Sequence, residues 1–108
     1  MKLINITFAI SPKNSEDFVA YIKSDFIPAL TAAGYYAPLL CCVQNDGAEE
    51  AADTLSYALQ MRAPNADVHT RFMAEAALEH FRTMAGKWNP DFALFMTELN
   101  VIYDGRSC

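Results

Sequence analysis

Glu98 comes nearest to chemistry of all the residues in this chain, because it interrupts the run of apolar residues between Phe92 and Tyr103. An ionised carboxylate buried there without a partner would be costly, so something must satisfy it. The residue types favour an ion pair with Arg62 or Arg82, or a solvated place at a rim between subunits, over a general base. Asn5 and Asn100 can lie beside it on adjoining strands, where amide hydrogen bonding across the sheet is a commoner role than substrate binding.

The other reactive types are sparse. His69 and His80 stand eleven residues apart, which on a helix places them about 20° apart around the axis and three turns apart along it, too far to share a metal ion. Neither has HExxH or HxxEH spacing, and both read as surface histidines. Cys41 and Cys42 are adjacent, point to opposite sides of a strand and have no basic neighbour in sequence, so they read as buried, inert thiols. With Cys108, the odd count suggests reduced thiols in a reducing compartment. The acidic stretch Asp46, Glu49, Glu50 and Asp53 lacks the ligand order of a calcium loop and reads as a solvated turn. Four scattered glycines exclude a phosphate cradle, and no Cys/His spacing supports zinc. Trp88, Tyr35 and Tyr36 read as lids on a core. No cofactor and no metal is called for, and no catalytic residue is assigned.

Composition bounds the classes. A chain of 108 residues allows one domain and one core. At 53% hydrophobic and 19% charged it is more apolar than usual, so part of that surface is expected to be covered between subunits. Eight basic against thirteen acidic residues give a net charge of −5, which removes long-range attraction to nucleic acid or anionic lipid. The run Leu3 to Ile10 is broken by Asn5 and Thr7 and reads as a strand, not a signal segment. No apolar run approaches bilayer length, and the expectation is a cytoplasmic protein.

Hydrophobic periodicity supplies the frame. Ile4, Ile6, Phe8 and Ile10 alternate with Leu3, Asn5, Thr7 and Ala9 in a first strand. Phe18, Val19, Ile22, Phe26 and Leu30 recur at helical spacing up to Gly34, with a kink expected at Pro28. Tyr35 to Asn45 is an extended run that Pro38 assigns to a sheet edge, and Thr54 to Ala63 is a third strand alternating Leu55, Tyr57, Leu59 and Met61 with Ser56, Ala58, Gln60 and Arg62. Asn65 or Asp67 can cap a second helix with a stripe of Val68, Phe72, Met73, Ala76, Ala77, Phe81 and Met84. A last strand runs from about Phe92 to Tyr103.

The order βαββαβ predicts an α+β ferredoxin-like domain: a four-stranded antiparallel sheet with two helices on one face and the other face bare. On that bare face the alternation predicts Leu3, Asn5, Thr7, Ser56, Ala58 and Gln60, with Leu94, Met96, Glu98 and Asn100 from the last strand. Two such faces would enclose a chamber, and Asn5, Thr7, Ser56, Gln60, Glu98 and Asn100 are its candidate ligand-binding residues.

The segments Phe26-Ile27-Pro28 with Leu30 and Gly34, Tyr57-Ala58-Leu59-Gln60-Met61, and Phe92 to Ile102 together resemble the domain of unknown function 4286 family over nearly the whole chain. The resemblance implies a small bacterial protein of the dimeric α+β barrel type and implies no catalytic residue. The expected function is a homodimer, paired through the open sheet face, that acts as a non-enzymatic module for a small molecule or a protein. Alternatives are a structural or regulatory subunit, and an enzyme like the antibiotic-biosynthesis monooxygenases and related haem-degrading or isomerase proteins. The enzyme alternative rests on fold analogy alone.

Overall fold

Alternation at period two places Ile4, Ile6, Phe8 and Ile10 on one side of strand β1 (Lys2–Ile10), and all four are fully buried. The computed structural model describes residues 2–43 and 54–103. The remaining strands are β2 (Tyr36–Cys42), β3 (Leu55–Ala63) and β4 (Phe92–Asn100), in the spatial order β2-β3-β1-β4. Every pairing is antiparallel. This is the ferredoxin-like α+β arrangement, with β2 at an edge as Pro38 requires. The acidic stretch 46–53, the end of the second extended run and Cys108 lie outside the described residues.

The helical layer is more segmented than its periodicity predicts. Helix α1 (Ser15–Tyr21) passes through a π-helical turn (Ile22–Phe26) into α2 (Ile27–Ala33), where the Ile27 N–H reaches back to the Ile22 carbonyl. Pro28, in the first turn of α2, would press its ring against the carbonyl four residues earlier, and a widened turn at that place removes the collision. So the irregularity expected at Pro28 takes the form of a π turn just before it. Gly34 ends α2 at φ +115°, a conformation for which glycine is the natural choice.

The second helical stretch divides into α3 (Ala66–Glu75) and α4 (Ala77–Trp88). Asn65 caps α3 by accepting from the Val68 N–H at 3.1 Å. Val68, His69 and Phe72 are buried on α3, and Ala77, Met84 and Trp88 on α4. The step from Phe72 to Ala77 is one residue longer than a helical repeat, so the break at Ala76 brings the second stripe back over the sheet. Met73, expected in that stripe, is 42% exposed instead. The core under the helices gathers Phe8, Phe18, Phe26, Leu59, Met61 and Trp88, with Phe18 edge-on to both Phe8 and Trp88 at 5.0 and 5.5 Å. Among the described residues no helix is long and apolar enough to cross a membrane.

Candidate functional site

The uncovered sheet face is a grid set by the strand register. Across its middle run Leu39, Gln60, Asn5 and Thr97. On one side lies the row Tyr36, Arg62, Leu3 and Leu99, and on the other Cys41, Ala58, Thr7 and Phe95. Ser56 stands opposite Ala9, which pairs with Ala93. The strand register thus brings together four of the predicted chamber residues, Asn5, Thr7, Ser56 and Gln60. Asn5 donates from Nδ2 to Thr7 Oγ1 at 3.0 Å along its own strand, not across the sheet.

Glu98 and Asn100 are not on this face. They pair with Ile4 and Lys2, and Leu94 and Met96 with Phe8 and Ile6, so all four point to the helix side. The contribution of β4 to the open face is Ala93, Phe95, Thr97 and Leu99, which makes that face greasier than the alternation predicted. Tyr36, Leu39, Phe95 and Leu99 are all exposed there, Phe95 by 62%. Cys41 and Cys42 are free and exposed rather than buried, at the far end of a strand that lies at the edge of the sheet.

β2 departs from regular pairing where it meets this face. Tyr36 opposes Arg62 and Leu39 opposes Gln60, so Ala37 and Pro38 together stand against Met61 alone, a β-bulge. Ala37 takes φ +54° to form it. The bulge leaves a hollow of about 300 Å³ lined by Leu3, Ala37, Pro38, Leu39, Gln60 and Arg62.

On the helix side the structure assembles a polar cluster that sequence reasoning missed. His69 is the buried polar residue of the described core, 4% exposed. The Tyr35 hydroxyl lies 2.6 Å from its Nδ1, and Glu98 Oε2 lies 3.3 Å from its Nε2. The other oxygen of Glu98 faces Lys2 Nζ at 3.5 Å, and Lys2 Nζ donates to Asn100 Oδ1 at 3.3 Å. Burial first, and the charge of Glu98 second, push the Tyr35 hydroxyl up to about 12, so it stays protonated beside Nδ1. The approach of Glu98 lacks hydrogen-bond alignment, and Nε2 is buried without a hydrogen-bond partner.

The expectation of two surface histidines fails at His69, and Glu98 is partnered by Lys2 and His69 rather than by Arg62 or Arg82. Arg62 sits on the opposite face of the sheet. His80 is half-buried, stacked on Phe72 at 5.9 Å and edge-on to Phe26 at 5.4 Å. Tyr35 and Trp88 are buried in the core as expected of lids, whereas Tyr36 is exposed on the open face. A phenol this shielded, held protonated by its surroundings, is a poor nucleophile or base; the cluster ties α3 to β4 and to the residue preceding β2. Among the described residues no three His, Cys, Asp or Glu side chains converge as a metal site.

The fold is shared with solved proteins of low sequence identity. A dimeric ferredoxin-like protein from an uncultured marine organism is 13% identical, with TM-score 0.67 over 96% of this chain and 97% of that one. A second dimeric ferredoxin-like protein, also from an uncultured marine organism, is 15% identical, with TM-score 0.61 over 95% and 97%. SnoaB, a cofactor-independent oxygenase from Streptomyces nogalater, is 11% identical, with TM-score 0.62 over 96% of both chains. At such identities the likeness is one of architecture. No curated protein matches the chain. The family model described as Domain of unknown function (DUF4286) matches residues 1–102, and the chain belongs to that family.

Proposed function

We propose that two copies of this chain pair through their open sheet faces and enclose a chamber for a small molecule, and that the protein works as a binding or interaction module. The observation that carries the reading is the concentration of exposed Tyr36, Leu39, Phe95 and Leu99 around the polar row Gln60, Asn5 and Thr97 on one uncovered face. Apolar area of that kind is stabilised by a partner of the same shape, and the polar row gives such a chamber its few orienting groups. The dimeric ferredoxin-like proteins of the same fold support pairing. Thr7 and Ser56 extend the proposed lining. Glu98 and Asn100, on the far side of the sheet, drop out of it.

The exposed free thiols of Cys41 and Cys42 suit a reducing cytoplasm, and the charge of −5 gives nucleic acid no part in this reading. Light scattering at micromolar concentration is the test of pairing. A mass of about 24 kDa, twice the 12.0 kDa chain, supports it, and a stable 12 kDa species overturns it. Native mass spectrometry of the same sample then reads any retained small molecule. A second reading, an enzyme of the oxygenase type, is favoured by one observation, the architecture shared with SnoaB. It requires that Asn5→Ala abolish a turnover without loss of folding.

A further inference from the structure

We infer that the pairing axis runs along the strands, so that β4 of one copy closes against β2 of the other, and that Ile102 and Tyr103 of the partner subunit fill the hollow beside the β2 bulge. The inference rests on the paired-sheet reading and names what completes that face. Its basis is the placement of exposed apolar side chains. Tyr36 and Leu39 are on β2 and Val43 follows it, while Phe95 and Leu99 are on β4 and Ile102 and Tyr103 follow it. Among the described residues the middle strands β1 and β3 expose no large apolar side chain, and the two other exposed ones, Met73 and Leu78, sit on the helices. Ile102 and Tyr103 are the most exposed of all, at 93% and 84%.

Symmetry and register set the match. β2 and β4 are the two edges of the sheet, and an edge strand is a template for another chain that barrel closure removes. A two-fold axis parallel to the strands, between the two faces, lays β4 antiparallel to β2 of the partner subunit and keeps every cross-sheet row at its own level. Leu99 shares a row with Tyr36, so β4 leaves the sheet at the end where the partner's hollow opens. An axis across the strands would carry the same segment to the opposite end of the partner, which bears the ion pair of Lys13 with Asp91 in each copy and offers apolar side chains little.

The hollow suits that occupant. The bulge at Ala37 and Pro38 interrupts the pairing of β2, and Pro38 has no N–H to offer a neighbouring strand. Backbone pairing across the seam is thereby confined to the rest of β2, and side chains must fill the gap at the bulge. Leu3, Pro38 and Leu39 line it with aliphatic surface. A volume of about 300 Å³ is at the lower end of ligand pockets and suits side chains better than a sizeable ligand. The chain bends at Ile102, which takes the segment out of line with β4. Seated there, Ile102 and Tyr103 of the partner subunit close one end of the chamber, which neither copy closes alone.

The test reads contacts between subunits in the full-length protein. Isotope-labelled and unlabelled chains are mixed, and nuclear Overhauser effects from labelled to unlabelled chains are recorded, with light scattering on the same sample. Effects between the Tyr103 ring of one chain and the methyl groups of Leu3 and Leu39 of the other are expected. Ile102→Ser combined with Tyr103→Ser should raise the dimer dissociation constant at least about tenfold. Both side chains are exposed in the single chain, so far-ultraviolet circular dichroism should not change. A species of about 24 kDa that lacks those effects, that joins β4 to β4 across the boundary instead, or that keeps its dissociation constant in the double variant overturns the inference and leaves sheet pairing standing. A 12 kDa species overturns the pairing itself, and this inference with it.

Discussion

The Tyr35 hydroxyl is hydrogen-bonded to Nδ1 of His69 across 2.6 Å, joining the residue before β2 to the first turns of α3. Tyr35 is 3% exposed, so removal of its hydroxyl leaves a buried imidazole nitrogen without a partner. Tyr35→Phe is expected to lower the unfolding free energy by about 1–3 kcal/mol. Urea denaturation at neutral pH measures it, and an unchanged midpoint would mean that the bond contributes nothing.

Alkaline pH acts on the same group. The folded state holds the Tyr35 hydroxyl protonated up to about 12, whereas an unfolded tyrosine releases its proton at 10.0. Between those values the native state binds more protons than the unfolded one, so stability falls as pH rises. This contribution is fully present below pH 10 and is lost on the way to 12. The difference in stability between the unaltered protein and Tyr35→Phe should therefore shrink from pH 9 upward. A difference that stays constant from about pH 9 to 11.5 would refute the assignment.

Two glycines make a matched pair with opposite signs. A Cβ at Gly34 would sit 3.1 Å from Val68 Cγ2 on a backbone at φ +115°, whereas at Gly86 in α4 it would meet nothing within 4 Å. Gly34→Ala is expected to destabilise by about 1–3 kcal/mol, through both strain and contact. Gly86→Ala should stabilise by about 0.5–1 kcal/mol through helix propensity. Thermal melts of the two variants side by side check the contrast.

Ala37 holds the bulge at φ +54° with its side chain in solvent. A β-branched residue tolerates that backbone poorly, so Ala37→Val should cost about 1–2 kcal/mol although no packing is lost. If Val is accepted without cost, the bulge is not held in the left-handed conformation in solution.

Phe95 lies at the β4 edge of the open face and shares a row with Thr7. Phe95→Glu places a carboxylate on the surface proposed to pair, and it should convert a dimer to a monomer while the far-ultraviolet circular dichroism stays unchanged. Light scattering that still reports a dimer would show that pairing uses some other surface.

The sequence was most legible where polar and apolar residues alternate. In β1 from Asn5 onward, and throughout β3, every second residue is polar or small, so the parity is readable and Asn5, Thr7, Ser56 and Gln60 fall on one face. In β4 the stretch from Phe92 to Met96 is apolar on both sides, so alternation alone does not fix which set faces the helices. The larger side chains Phe92, Leu94 and Met96 decide, and Glu98 and Asn100 follow them to the helix side, beside Lys2 and His69. His69 was missed because Tyr35 and Glu98 are remote from it in sequence. A signal existed in its position between Val68 and Phe72, which puts an imidazole on the apolar stripe.

β1 is the inner strand that pairs with both β3 and β4, and Lys2 meets Asn100 while Ile10 meets Phe92. A nascent polypeptide emerging from a ribosome therefore has no means of satisfying that side of its first strand until more than ninety residues have been made. Productive closure has to wait for β4, and the long-range pairing should make folding slow for so small a domain.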